Sequence, residues 1–155
     1  MTLIDFINAQ CARLKQAGVS FGHGTGNAFD EAAWLVLWAL GLPLDALEDR
    51  AKGELPADDQ AKAEALVTRR IESRLPAAYL THEAWLQNVP FYVDERTIVP
   101  RSFIAELLAD GEGEGTLDAW LTDRMQRVLD LCTGNGSLAV IAAMAYPEIS
   151  VDGCD

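Results

Sequence analysis

The sequence predicts an α/β chain in three consecutive parts. These are a helical bundle over residues 1–80, a β-hairpin linker over 81–100, and, over 101–155, the first strand–helix–strand unit of a doubly wound parallel sheet that is incomplete as it stands. Three observations predict this order. Apolar residues recur at three- and four-residue spacings up to Leu75, short aromatic and β-branched runs replace them from Ala84, and a glycine-bearing turn follows a strand pattern at Asp130.

Thr2 can cap a first helix in which Leu3, Phe6, Ile7 and Leu14 share one face, and Gly18 suits its end. After the loop Phe21–Asn27, a second helix runs to about Leu40, where Gly41 stops it and Pro43 prevents its return. Phe29, Ala33, Val36, Leu37 and Leu40 form its expected buried stripe, with Trp34 and Trp38 beside it. Leu44–Ala51 reads as a short helix. Ala57–Leu75 reads as a longer one, with Asp58 and Asp59 at its positive end and Arg69 and Arg70 as a solvated negative end.

Trp85, Val89, Phe91, Val93, Ile98 and Val99 then predict a hairpin or meander, broken at Gln87–Asn88 and at Asp94–Arg96. A helix over Ser102–Ala109 leads into the acidic glycine-rich linker Asp110–Gly115 and a short helix over Leu117–Asp123. Arg127–Cys132 reads as a strand, Thr133–Gly136 as a turn, Ser137–Tyr146 as a helix closed by Pro147, and Ile149–Asp155 as a second, parallel strand. One parallel pair leaves apolar faces uncovered, so further strands are expected from more chain or from a partner.

Composition narrows the function. Half of the 155 residues are hydrophobic, enough for a core. Twenty-four acidic residues against twelve basic ones give a formal charge of −12, which disfavours direct binding to duplex nucleic acid; the same field would attract a basic protein partner, with solubility alone as the other reading. The longest apolar run, Ala32–Leu44, is interrupted by Gly41 and Pro43, and the amino terminus lacks a secretory pattern, so a soluble cytoplasmic protein without a membrane span is expected. Cys11, Cys132 and Cys154 have neither disulfide-framework nor metal spacing, even with His23 and His82; reduced, mostly buried thiols and no metal are expected.

The candidate site is the turn after Asp130. Gly134 and Gly136 follow a strand and open a helix, where a ligand can approach bare backbone. Asp155 ends the next strand at a spacing suited to an acid that accepts hydrogen bonds from ribose hydroxyls. A dinucleotide fingerprint is one reading, but Ala139 stands where its third glycine would be, and Asp130 would repel a pyrophosphate. A phosphate-free cofactor carrying cationic sulfonium and ammonium groups suits Asp130 better. A plain strand-to-helix turn is the bland alternative. The denser run Gly22–Gly26 has no strand before it and reads as a capping loop rather than a phosphate cradle. His23 and His82 read as surface or interface residues, and Trp34, Trp38, Trp85 and Trp120 as core or domain-contact residues.

The run Asp130–Leu138 resembles the cofactor loop of class I, Rossmann-like methyltransferases. Thr97–Leu107 and Arg74–Leu80 resemble the segments that precede that loop in the protein-(glutamine N5) methyltransferases, and the resemblance covers essentially the whole chain. It implies S-adenosylmethionine as cofactor, with Asp130, Gly134 and Gly136 around its methionine part and Asp155 on its ribose. Cys132 and Thr133 complete the implied cofactor set, and Pro100 and Arg101 border the pocket. The helical part would recognise the protein substrate. Pro100–Ser102, Cys132 and Phe21–Ala32 resemble the branch acting on large-subunit ribosomal protein L-three more than the branch acting on class I release factors.

In that family an Asn-Pro-Pro-Tyr motif binds the substrate glutamine amide. The motif is absent from this sequence, where the nearest run is Asn88–Pro90, so no catalytic residue is assigned. The 155 residues by themselves are expected to be inactive and to bind cofactor poorly. A protein-binding module without catalysis is the alternative from another function class.

Overall fold

The computed structural model describes residues 1–109 and 125–155, which fall into two units, Met1–Thr81 and His82–Asp155. The linker predicted over 110–115, the helix predicted over 117–123 and Trp120 lie outside the described residues.

The first unit is helical: α1 (Leu3–Gln16), α2 (Ala28–Ala39), α3 (Ala46–Arg50), α4 (Ala57–Ser73) and α5 (Ala77–Thr81). Thr2 caps α1, its Oγ1 accepting from the Asp5 N–H at 3.2 Å, and Leu3, Phe6, Ile7 and Leu14 are buried as their spacing predicts. Asn27 caps α2 by accepting from the Phe29 and Asp30 N–H groups, both at 3.0 Å. Gly41, at φ +65°, follows the end of α2 in the left-handed conformation that glycine adopts most easily.

The burial of α2 departs from the predicted stripe. Phe29 and Leu40 are only half-buried, whereas Glu31 and every residue from Ala32 to Leu37 are buried. The cause is position: α2 packs against α1, α3, α4 and α5, so no side of its middle faces solvent. Trp34 lies inside, while Trp38 is exposed.

Arg70 is a second correction. It is buried rather than solvated, its Nε donating to Glu31 Oε1 at 2.8 Å and its Nη2 to the Ser20 carbonyl at 2.8 Å. Thr25 Oγ1 donates to the other Glu31 oxygen at 3.0 Å, so the buried pair also fixes both sides of the glycine-rich loop. Each charge has the partners that burial demands.

The second unit opens with an antiparallel hairpin, β1 (Glu83–Leu86) and β2 (Val89–Tyr92), with Leu86 opposite Val89 and Glu83 opposite Tyr92. Gln87 and Asn88 connect them at φ +49° and +59°, the left-handed pair that lets a two-residue turn match strand twist. The run at Ile98–Val99 is not a strand, so the hairpin alternative holds over the meander among the described residues. Trp85 is exposed, not core, and its indole N–H donates to Glu83 at 2.6 Å.

Beyond β2, Arg96 folds back on Asp94, with Nη2 2.6 Å from Oδ2 and its backbone N–H 3.0 Å from Oδ1. The Arg96 side-chain bonds first, then its backbone bond, hold the Asp94 carboxyl well below the usual carboxylate range. A depressed folded value means the interaction is fully present above the unfolded carboxylate value and is lost only as pH falls through the folded one. In a carbon-detected NMR titration Asp94 is therefore expected to protonate after the other carboxylates, and Arg96→Gln to return it to the common range. Titration of wild-type Asp94 with the rest would refute this.

Helix α6 (Phe103–Ala109), strand β3 (Arg127–Leu131), helix α7 (Ser137–Ala145) and strand β4 (Ser150–Cys154) are the other elements among the unit's described residues. β3 and β4 pair in parallel, Arg127 opposite Ser150 and Leu131 opposite Cys154. The chain is thus mixed α/β. β3 ends one residue earlier than predicted because Cys132 turns to φ +60°. Cys132 and Cys154 are exposed and only Cys11 is buried, which corrects the expectation of mostly buried thiols.

Candidate cofactor-binding site

The turn between β3 and α7 is built from three left-handed residues in five: Cys132 at φ +60°, Gly134 at +56° and Gly136 at +79°. Among the described residues, a Cβ added at Gly134 or Gly136 would meet no atom within 4 Å beyond its chain neighbours, so backbone conformation, not packing, demands glycine there. Cys132 adopts the same region with a side chain, which carries roughly 1–2 kcal/mol of local strain.

Hydrogen bonds hold the turn. Thr133 Oγ1 donates to Asp130 Oδ2 at 2.7 Å, the Thr133 N–H donates to the Cys154 carbonyl at 3.1 Å, and the Gly134 N–H donates to Asp155 Oδ1 at 3.1 Å. The structure thus brings Asp130, Cys132, Thr133, Gly134, Gly136 and Asp155 to one end of the β3–β4 pair. Two carboxylates facing a bare-backbone turn favour a ligand with hydroxyl donors or positive charge and disfavour a pyrophosphate. Pro100 is half-buried and Arg101 exposed in the stretch before α6, and among the described residues no hydrogen bond ties either to the turn.

Two residues of this arrangement were not picked out from the sequence. Gly153 lies beside the turn so closely that a Cβ there would be 2.8 Å from Thr133 Oγ1. Its signal was available, since glycine inside a strand often marks a close approach. Asn135 has two roles: its Oδ1 accepts from the Ser137 N–H at 3.3 Å and its Nδ2 donates to the Tyr92 carbonyl at 3.4 Å, linking turn and hairpin. Tyr92 in turn stacks on His82, with ring centroids 5.3 Å apart. No spacing in the sequence announces that link.

Among the described residues no group of three or more His, Cys, Asp or Glu side chains could hold a metal ion, and no helix is long and apolar enough to cross a membrane. No protein-family model matches the chain.

Fold and site together define a class of arrangement: a mixed α/β chain in which a glycine turn joins a strand to a helix, with two carboxylates beside it. Over 154 residues the chain is 50% identical to the ribosomal protein uL3 glutamine methyltransferase of Burkholderia pseudomallei, covering 99% of the chain and 49% of that protein. Proteins of the same name from Bordetella pertussis and Bradyrhizobium diazoefficiens are 47% and 42% identical over 99% and 100% of the chain. The chain spans about half the length of the curated relatives it matches.

Proposed function

We propose that this chain is the helical and cofactor-binding portion of an S-adenosylmethionine-dependent methyltransferase acting on a glutamine side-chain nitrogen of large-subunit ribosomal protein uL3. The observation that carries the reading is the Cys132–Gly136 turn, with Asp130 and Asp155 beside it, in a chain so similar to relatives bearing that name. Residues 1–80 would form the substrate-recognition domain, 81–100 the hairpin linker, and 101–155 the start of a class I, Rossmann-like sheet. The exposure of Leu129 (55%) and Leu131 (67%) on β3 supports a sheet with further elements, because parallel strands are normally covered on both faces.

S-adenosylmethionine, when bound, supplies a methyl group on a positively charged sulfur. The carboxylate of Asp130, held by Thr133, would face the cationic methionine end. Asp155, with Oδ1 already accepting from Gly134, would receive ribose hydroxyls, so the turn and the ribose acid are positioned together. Cys132 and Gly136 set the path of the backbone past the ligand, and Pro100 and Arg101 would border the pocket. The nucleophile is an amide nitrogen whose lone pair is delocalised into its carbonyl, so catalysis depends on fixing it in line with the methyl group and stabilising charge that develops on nitrogen. The 155 residues contain no Asn-Pro-Pro-Tyr run to supply those acceptors.

The test joins this chain to the part of the Burkholderia pseudomallei relative outside the match. It then incubates the product with S-adenosylmethionine and either ribosomal protein uL3 or a class I release factor. One added methyl group on a uL3 glutamine, seen by peptide mass spectrometry, is the expected result. Modification of the release factor alone would reassign the substrate. Tighter calorimetric binding of a nicotinamide dinucleotide than of S-adenosylmethionine would defeat the cofactor reading.

A further inference from the structure

A hollow of about 350 Å³ opens in the helical unit where the start of α1, the end of α2, α3 and the first turn of α4 converge. That is the small end of the range of ligand-sized clefts, roughly 300–1,000 Å³. Its apolar lining comes from Leu3, Leu40, Leu42, Leu55 and Pro56. Its charged lining comes from Asp49, Glu54 and Asp59, opposed by Arg50 alone. The walls are fixed by backbone bonds: the Leu3 N–H donates to Gly53 O at 3.0 Å, Ile4 N–H to Ala51 O at 3.0 Å, and Leu55 N–H to Met1 O at 3.1 Å.

The charge of the unit is concentrated here. Residues 1–81 hold eleven acids and eight bases, but residues 45–59 alone hold six of those acids and two of those bases. Outside that segment the bases therefore outnumber the acids, six to five. Asp58 and Asp59 also offset the positive end of α4, which would otherwise repel a cation. Asp59 shares its charge with Lys62 at 3.2 Å, leaving Asp49 and Glu54 as the exposed acids of the rim.

An apolar lining beside an acidic rim matches one chemistry closely. A lysine or arginine side chain has an apolar stem that can lie on the leucines and a cationic head that can reach the carboxylates. A wholly apolar segment would strip water from the acids without pairing them, and a nucleic acid would be repelled. We infer that this hollow docks a lysine- or arginine-bearing segment of the protein substrate. The inference rests on the methyltransferase reading only for which protein carries that segment.

The test titrates the 155-residue chain, observed by amide NMR, with a blocked peptide of glycine, leucine and arginine and with the same peptide carrying citrulline for arginine. The arginine peptide is expected to shift amides of residues 40–42 and 49–59 and to weaken with added salt. The combined variant Asp49→Asn, Glu54→Gln, Asp59→Asn is expected to bind it about five- to tenfold less tightly, from three largely exposed charge pairs. Glu72→Gln with Glu148→Gln, which removes charge elsewhere, is expected to leave binding unchanged. Equal binding of the citrulline peptide, shifts confined to other residues, or an unaffected triple variant would each overturn the proposal. In the joined protein the triple variant is expected to raise KM for uL3 at unchanged kcat. Peptide binding without methyl transfer by the joined protein would uphold the docking site and count against the proposed function.

Discussion

Arg70→Ala is expected to destabilise the helical unit by about 3–5 kcal/mol, the usual cost of removing one partner from a buried ion pair. The substitution leaves the Glu31 carboxylate, 2% exposed, with Thr25 as its remaining partner, and leaves the Ser20 carbonyl without its donor. With a urea m-value of about 1.5 kcal/mol per molar, the midpoint should fall by roughly 2–3 M. The double variant Glu31→Leu, Arg70→Met should recover most of that loss, because replacing both charges with apolar groups removes the uncompensated one. Amide exchange in residues 20–27 should quicken in Arg70→Ala, since the loop loses its hold on α4. A midpoint shift worth less than about 1 kcal/mol would mean that the pair is effectively solvated.

That pair also shows where sequence reasoning stops. Local chemistry was legible: Thr2 as a cap, the face of Leu3, Phe6, Ile7 and Leu14, and the strand, turn and helix from Arg127 to Ala145 all depend on residues within a few positions. Arg70 was not legible, because basic residues near the end of a helix ordinarily meet solvent and the macrodipole. Its partner Glu31 is 39 positions away on another helix. The burial of α2 failed for a related reason. A stripe model assumes one packed side, yet Ala32–Leu37 is apolar without interruption, the pattern of a helix enclosed on all sides. At the turn, the glycines and acids were legible from type and spacing. The strained φ of Cys132 and the reach of Asn135 to Tyr92 were not, because both depend on how the hairpin and strands meet in three dimensions.

Among the described residues of the second unit, Gly153→Ala is expected to be the most damaging single-methyl change. The new Cβ would sit 2.8 Å from Thr133 Oγ1 and 3.2 Å from Thr133 Cβ, closer than side-chain contacts tolerate. Thr133 has little room to retreat, because its N–H is bonded to the Cys154 carbonyl and its hydroxyl to Asp130. Overpacking of this kind costs about 1–3 kcal/mol. Relief requires either separation of the turn from β4 or rotation of Thr133, and rotation would break the 2.7 Å bond that orients Asp130. On the cofactor reading proposed above, weaker S-adenosylmethionine binding by the joined protein should therefore accompany the lower stability. Thr133→Ala should cost about 1.5–3 kcal/mol through loss of a hydrogen bond to a carboxylate, yet it also deletes the atom nearest the new methyl group. The double variant should consequently be less destabilised than the sum of the two singles, by at least about 0.5 kcal/mol. Strict additivity would mean that Gly153 is not there to accommodate Thr133. The dependence of Asp130 on the close approach of β4 would then lose its physical basis.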